Sequence, residues 1–433
     1  SQSIQRFGFL LPPMYKKTVT DNGLRILTSH MPHTQSASIV FYVGAGSRYE
    51  TPEEAGISHF VEHMCFKGTP RRPTSKEISE AIEGVGGVLN AATDRELTTY
   101  WCKVPVAHFR LALDVLSDFI REPLFDPEEI EKERHVILEE LSMSYDVPSY
   151  RVDLLIDEVM WPNQPLGRDV GGTRESVLNI TRDMLMQYMH RQYTIPNLVV
   201  SIAGNVPHAE AIEAVDLRFR DWASHQPDTW FPAEDGQSAP RMSMERRKTE
   251  QAHICIAVKG LSSTDPDRYA LDMLNAVLGE GMSSRLFLEL REKQSLVYDV
   301  HTTTSHLKDC GSFIAYAGVD PKNARKAVGS ILHELHLIKE GVPKEELHKA
   351  REYLKGRLVL GMEDSRSVAA WLGAQELLHD EVQTVEQVLA KVDSVTTEDI
   401  QRVATSLLVT EKLSMAIVGP FRSDKEFQAQ LRI

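Results

Sequence analysis

Cysteine is scarce and scattered in this chain of 433 residues: Cys65, Cys102, Cys255 and Cys310 are the four, and none forms a C-x-x-C pair. That excludes a dense disulfide framework and leaves free thiols, as expected in a reducing compartment, cytoplasmic or like the mitochondrial matrix. Basic charge is short as well. Lys plus Arg number 48 against 62 Asp plus Glu, a formal net charge of −14, which argues against sequence-independent binding of nucleic acid. No apolar run reaches the roughly 18 residues of a membrane span, so none is expected. The apolar stretch Phe7-Gly8-Phe9-Leu10-Leu11 is too short for a signal core, so there is no clear signal peptide.

What is present is size and a motif. The length and a hydrophobic content of 42% suit two or more domains of an enzyme-sized globular protein. The motif is His59-Phe60-Val61-Glu62-His63. On a helix, residues three and four apart share a face, so His59, Glu62 and His63 point at one spot while Ile57, Phe60, Val61 and Met64 supply a face to bury. Ser58 is the expected helix-start signal. Two imidazoles at i and i+4 suit zinc, and an acid between them suits a general base; the order H-x-x-E-H is the inverse of H-E-x-x-H. An amphipathic helix with histidines along its polar edge is the plain alternative. Cys65, on another face, reads as a small buried side chain.

A catalytic zinc site needs three protein ligands and an open position. The charged segment Pro127 to Leu141 reads as a helix on which Glu133, Ile137 and Glu140 share a face and Glu139 points away. Glu140 is therefore the candidate third ligand, although a solvated charged helix would look the same. Gly56 to Met64, followed by Phe66-Lys67-Gly68-Thr69 and a helical glutamate about 77 positions after His63, resembles the pitrilysin family. That family of inverzincin metallopeptidases includes insulin-degrading enzyme and mitochondrial processing peptidase. The resemblance covers nearly the whole chain. It implies one zinc per chain on His59, His63 and Glu140, with Glu62 activating the attacking water and Glu133 orienting a ligand from behind.

The rest of the chain reads as a repeat. Asp21-Asn22-Gly23 marks a hairpin between Tyr15 and Ser29, Ala37–Val43 a strand, and Thr74 with Glu77 a capping box that opens a helix. Val88-Leu89-Asn90-Ala91 follows two glycines as a short edge-type strand. A plain hairpin accounts for it, but the resemblance implies that Asn90 and Ala91 hold an extended peptide substrate as an added strand. From His225 to about Glu250 periodicity breaks, and a linker is expected there. Beyond it, Ile39 to Val43 finds Ile254 to Val258 at an offset of 254 − 39 = 215, and Ile202-Ala203-Gly204 finds Ile417-Val418-Gly419 at 417 − 202 = 215. The expected fold is α/β in the α+β sense. It has two similar domains, 1–226 and 227–433, each a mostly antiparallel sheet with helices on one side. At that offset His59, Glu62 and His63 become Leu274, Val277 and Leu278, and at 217 Glu140 becomes Arg357, so the second domain lacks the metal set.

The second half has its own pair. Arg291 and Tyr298 are seven apart, which on a continued helix places both on one face, and together they can stabilise an oxyanion. A salt-bridging Arg and a half-buried Tyr are the plain alternative. The pair resembles the Arg/Tyr set that the family brings to the zinc from its C-terminal half, with Gln294-Ser295 standing where the family often has glycine. Gly279-Glu280-Gly281 lacks the pattern of a phosphate loop. A chain of this length resembles one half of the larger members, so the resemblance implies a homodimer, or a heterodimer with a related subunit, in which one subunit completes the other's site. The expected activity is that of a zinc metalloendopeptidase, either processing basic presequences or degrading oligopeptides. The alternative is a non-catalytic core-type subunit of a larger assembly.

Overall fold

The computed structural model describes residues 14–433, and the apolar stretch Phe7 to Leu11 lies outside them. Gly23, at φ 92° in the left-handed region, lets the chain reverse between β1 (Lys16–Val19) and β2 (Arg25–His30), which pair antiparallel. With β3 (Ser36–Val43), β4 (Val88–Thr93), β5 (Thr98–Pro105) and β6 (Leu198–Gly204) they form a six-stranded sheet in the order β1-β2-β6-β3-β5-β4. Only β2 and β6 run parallel. A second sheet takes β7 (Arg241–Arg246), β8 (Ala252–Lys259), β9 (Val297–His306), β10 (Gly311–Val319) and β11 (Ser414–Gly419) in the order β7-β11-β8-β10-β9. Again one pair, β7 and β11, is parallel.

The internal repeat is legible in the strand register. In the first sheet Ile39 sits opposite Ile202, and in the second Ile254 sits opposite Ile417. Both members of the second pair lie 215 positions after those of the first, so the sequence echo is one register repeated.

Part of the expected linker is structured. Residues Arg241–Arg246 form β7, whose Met242 and Met244 pack against the second core. Its Met-Ser-Met alternation is too short to stand out from its polar flanks, and parallel pairing with β11 gives it no hairpin partner nearby in sequence.

Helices α1 (Ile57–Cys65), α2 (Ser75–Glu83) and α3 (Phe109–Arg121) pack their apolar faces with one face of the first sheet, in a core that includes Phe41, Phe60 and Phe119. The expected Thr74–Glu77 capping box opens α2. Then come α4 (Pro127–Asp146), begun by the Asp126 cap and a first-turn proline, and α5 (Pro148–Met160). The other face of each sheet is covered by a helix from the opposite half. α5 sets Val152, Leu155 and Ile156 against Cys255, Ala257 and Val418 of the second sheet. Helix Ser365–His379 sets Val368, Ala369 and Leu372 against Leu27, Val40 and Val199 of the first. Gly373 allows that approach, since a Cβ there would lie 2.6 Å from the Tyr42 ring. Each fully buried Val or Leu contributes about 1.5–3 kcal/mol, so this exchange ties the halves together. Buried Arg48 adds a polar link: it pairs with Glu96 in the β4–β5 turn at 2.7 Å and, across the halves, with the more exposed Asp309 in the β9–β10 turn at 2.8 Å. The four cysteines are free and buried, and no described helix is long and apolar enough to cross a membrane.

Candidate metal centre

Helix α1 is placed by a cap that its own sequence does not announce. Ser58 lies inside the helix and shares a 2.6 Å hydrogen bond with the Tyr188 hydroxyl, so it is not the start signal expected of it. The side chain at the N-terminus is that of the buried Glu50, whose carboxylate accepts from the amides of Gly56 at 2.8 Å and Ser58 at 2.9 Å. Burial pushes the Glu50 carboxyl up, and Ser58, Gly56 and Arg168 oppose the rise. Ile57, Phe60, Val61 and Met64 are fully buried. That fixes the roll of the helix and turns His59, Glu62 and His63 to the opposite, half-buried face.

On that face the imidazole Nε2 atoms of His59 and His63 stand 3.1 Å apart. The nearer carboxylate oxygen of Glu140, from α4, lies 3.8 Å from His59 and 3.7 Å from His63. Glu139 is exposed and takes no part. One donor atom from each of His59, His63 and Glu140 fits within 4.8 Å of the others, as in no other set of three or more His, Cys, Asp or Glu among the described residues. Two nitrogens and a carboxylate oxygen at that separation suit a four-coordinate zinc with one position left open.

The surroundings set which nitrogens are free. His63 Nδ1 lies 2.9 Å from Glu133, so that nitrogen carries the hydrogen and Nε2 keeps its lone pair facing His59. At 3.1 Å the two Nε2 atoms are joined either by a hydrogen carried on His59 or by a cation held between them, and with Glu140 beside them the arrangement fits a metal. Glu133 is held in turn by Lys67 at 2.5 Å. Although burial works against its charge, His63 and Lys67 hold its carboxyl below the usual range. Burial, helped by the neighbouring His63, lowers His59 to about 4 and so favours the neutral ligand form. Burial also works to lower His63, but Glu133, Glu140 and Glu62 outweigh it and leave its pKa raised.

Glu62 faces the same space. Burial raises its pKa, and the Thr93 hydroxyl opposes the rise by donating to its carboxylate at 2.5 Å. Thr93 is the last residue of β4, and nothing in its sequence context singles it out; the same holds for Glu50. β4 is the edge of the first sheet, paired only with β5, and carries Asn90 exposed and Ala91 half-buried. The site therefore adjoins an open strand edge.

Arg291 and Tyr298 do not lie on one helix. The π-helical turn Phe287–Lys293 ends after Arg291, Ser295 takes φ 52°, and Leu296 N bonds back to Leu290 O at 2.8 Å. That closure resembles a left-handed helix cap and sends the chain into β9, where Tyr298 is exposed on the edge of the second sheet. The seven-residue spacing assumed a helix that the left-handed Ser295 interrupts. Within one chain neither residue bonds to the metal cluster.

Comparison with known proteins shows the family. The family description "Insulinase (Peptidase family M16)" matches residues 25–174, and "Peptidase M16 inactive domain" matches residues 179–354. An uncharacterized zinc protease of Streptomyces coelicolor is 37% identical over 95% of this chain and 90% of its own length. The chain belongs to peptidase family M16. A relative from Bacillus subtilis, also named an uncharacterized zinc protease, is 35% identical over 94% of this chain and 98% of its own. Among solved structures, a protease from Helicobacter pylori superposes with a TM-score of 0.88 at 22% identity, covering 94% of this chain and 99% of that one. A peptidase M16 inactive domain from Pseudomonas fluorescens gives 0.87 at 18% identity, covering 94% and 99%. Both share the fold of this chain. The "Insulinase" match contains all of the cluster, and the "inactive domain" match contains Arg291 and Tyr298.

Proposed function

We propose that this chain is a zinc metalloendopeptidase holding one zinc ion on His59, His63 and Glu140. The observation that carries the reading is the pair of facing imidazole nitrogens 3.1 Å apart, with Glu140 completing a three-donor set. Zinc, when bound, supplies a Lewis acid that polarises the scissile carbonyl and lowers the pKa of water. Glu62 accepts the proton of the attacking water: Thr93 engages Oε2, which leaves Oε1 for that transfer. Glu133 keeps His63 in the tautomer that presents Nε2, and Asn90 and Ala91 receive an extended peptide along the open edge of β4.

The domain carrying the metal set spans 1–226, and that carrying the Arg/Tyr pair spans 227–433. Arg291 and Tyr298 act on the site of a second subunit, where they steady the negative charge that develops on the carbonyl oxygen. Tyr298 is exposed on the edge strand β9 and Arg291 on the helical turn just before it, which supports this assignment. A homodimer suffices, because one chain carries both sets. A non-catalytic role is disfavoured by the intact His59, Glu62, His63 and Glu140.

The test is metal content together with hydrolysis of a quenched peptide, with and without chelator, in the parent chain and in Glu62→Gln. The expected result is about one zinc per chain in both, chelator-sensitive cleavage in the parent, and a rate lower by about 10²–10⁴ in Glu62→Gln. Unchanged turnover in a pure variant removes Glu62 from the reaction, and absence of zinc removes the metal reading.

A further inference from the structure

One arginine near the metal centre makes no direct ion pair, although Glu50 and Glu53 act on it from farther off. Among residues 14–226 every other buried or half-buried arginine pairs with a carboxylate, Arg48 with Glu96 and Arg151 with Glu158 among them. Arg168 is half-buried and has no such partner. Its Nη2 donates to the backbone oxygen of Glu50 at 2.6 Å, and its Nε is buried with nothing to donate to. The Glu50 carboxylate is committed to the amides that begin α1. Burial works against the charge of this guanidinium, Glu50 and Glu53 offset that only from a distance, and no carboxylate is bonded to it, so an anion from outside the chain would be stabilised there.

Space for that anion is present. Arg168 lines a cavity of about 580 Å³ with Leu141, Tyr145 and Gly172, and a second of about 850 Å³ with Trp161 and Phe231. The two share Glu158, Gly167 and Arg168, so the guanidinium stands where they meet. Of the acids on these walls, Glu158 is held by Arg151 at 2.7 Å and Asp169 accepts from the Gly171 amide at 2.8 Å, while Asp146 and Glu234 form no ion pair. The smaller cavity borders the metal centre. Leu141 follows the ligand Glu140 directly, and a Cβ on Gly171 would lie 3.0 Å from Leu141 and 3.7 Å from His59 Nδ1. A side pocket that combines apolar walls, from Leu138, Leu141 and Leu154, with both arginines and acids therefore lies next to Glu140 and on the Nδ1 side of His59.

We propose that Arg168 is the recognition group of a carboxylate subsite beside the metal centre, selecting peptides that bring an acidic side chain or a free C-terminal carboxylate into this cavity. The fork geometry of the guanidinium suits two parallel hydrogen bonds to such a group. The inference rests on the peptidase reading and adds to it a substrate class.

The experiment measures binding without turnover. Zinc-loaded Glu62→Gln is titrated with fluorescent peptides matched except for Glu against Gln at each position in turn, each with a free and an amidated C-terminus. At one position the acidic peptide should bind about tenfold tighter, or the free C-terminus should do so if the terminal carboxylate is the ligand. Adding Arg168→Gln should bring that ratio to about one, and Arg168→Lys should restore part of it, because a point charge remains without the fork. Arg168→Lys decides the matter if Arg168→Gln loses zinc. Equal binding of all matched pairs overturns the proposal, as does a preference that persists without Arg168. Zinc content and cleavage of the neutral peptide by the parent chain test the peptidase reading separately, so failure of one is not mistaken for failure of the other.

Discussion

Helix α1 and helix Arg268–Gly279 occupy equivalent places in the two halves and differ in what they do with the same face. In the first half that face presents His59, Glu62 and His63, half-buried around a shared space. In the second, the positions 215 later are Leu274, Val277 and Leu278, at 1%, 2% and 0% exposure, inside the core. Glu140 of α4 has exposed Arg357 as its counterpart at 217. The fold is therefore satisfied by apolar residues where the imidazoles stand. Keeping polar groups partly buried there opposes stability, so their presence in one half calls for a chemical reason.

The comparison can be broken most directly by His59→Leu, which gives the first half what the second has at Leu274. The chain should fold, because the repeat already accommodates leucine at this point of the helix. Zinc affinity should fall by well over the roughly 100-fold that loss of an outer orienting group costs, and turnover should vanish with it. Metal analysis after dialysis against dilute zinc reads this. A variant that keeps stoichiometric zinc would show that His59 is not a ligand.

The reverse exchange, Leu278→His, should gain no metal, because Leu274 and Arg357 supply no further ligands. It places an imidazole at a fully buried position and should lower stability by about 2 kcal/mol. Urea unfolding measures the loss. If stability is unchanged, the second core tolerates polar groups and the contrast between the halves loses its meaning.

These contrasts were legible early because they are periodic. The i, i+4 spacing of His59 and His63, the face shared by Glu133 and Glu140, and the 215-residue echo all follow from helix and strand geometry. What stayed hidden depends on contacts between distant segments. Glu50 caps α1 across a loop, and Thr93 meets Glu62 from another element. The exchange of α5 and Ser365–His379 between the sheets leaves no trace in periodicity, since a helix buried on a foreign sheet has the same pattern as one buried on its own. Arg291 and Tyr298 mislead for a related reason: spacing predicts a shared face only while the helix continues, and the left-handed Ser295 ends it. Glycine, which the family often has there, is the residue best suited to that conformation.

The finest contrast concerns tuning, because the second half has Val277 where the first has an acid to tune. Thr93 donates to the charged form of Glu62 and so lowers a pKa that burial raises. Thr93→Val keeps the shape of the side chain at the end of β4 and removes that donor. The Glu62 pKa should then rise further. As a base Glu62 must be ionised, so activity lost on acidification should be lost sooner: the ascending limb of kcat/KM against pH should move to higher pH by about one unit or less. Well above the limb, parent and variant should converge, because both are then ionised. A limb that stays in place would mean that Glu62 does not set it, or that the Thr93 hydrogen bond does not persist with substrate bound. A rate reduced equally at every pH would instead assign Thr93 to positioning Glu62 rather than to its ionisation.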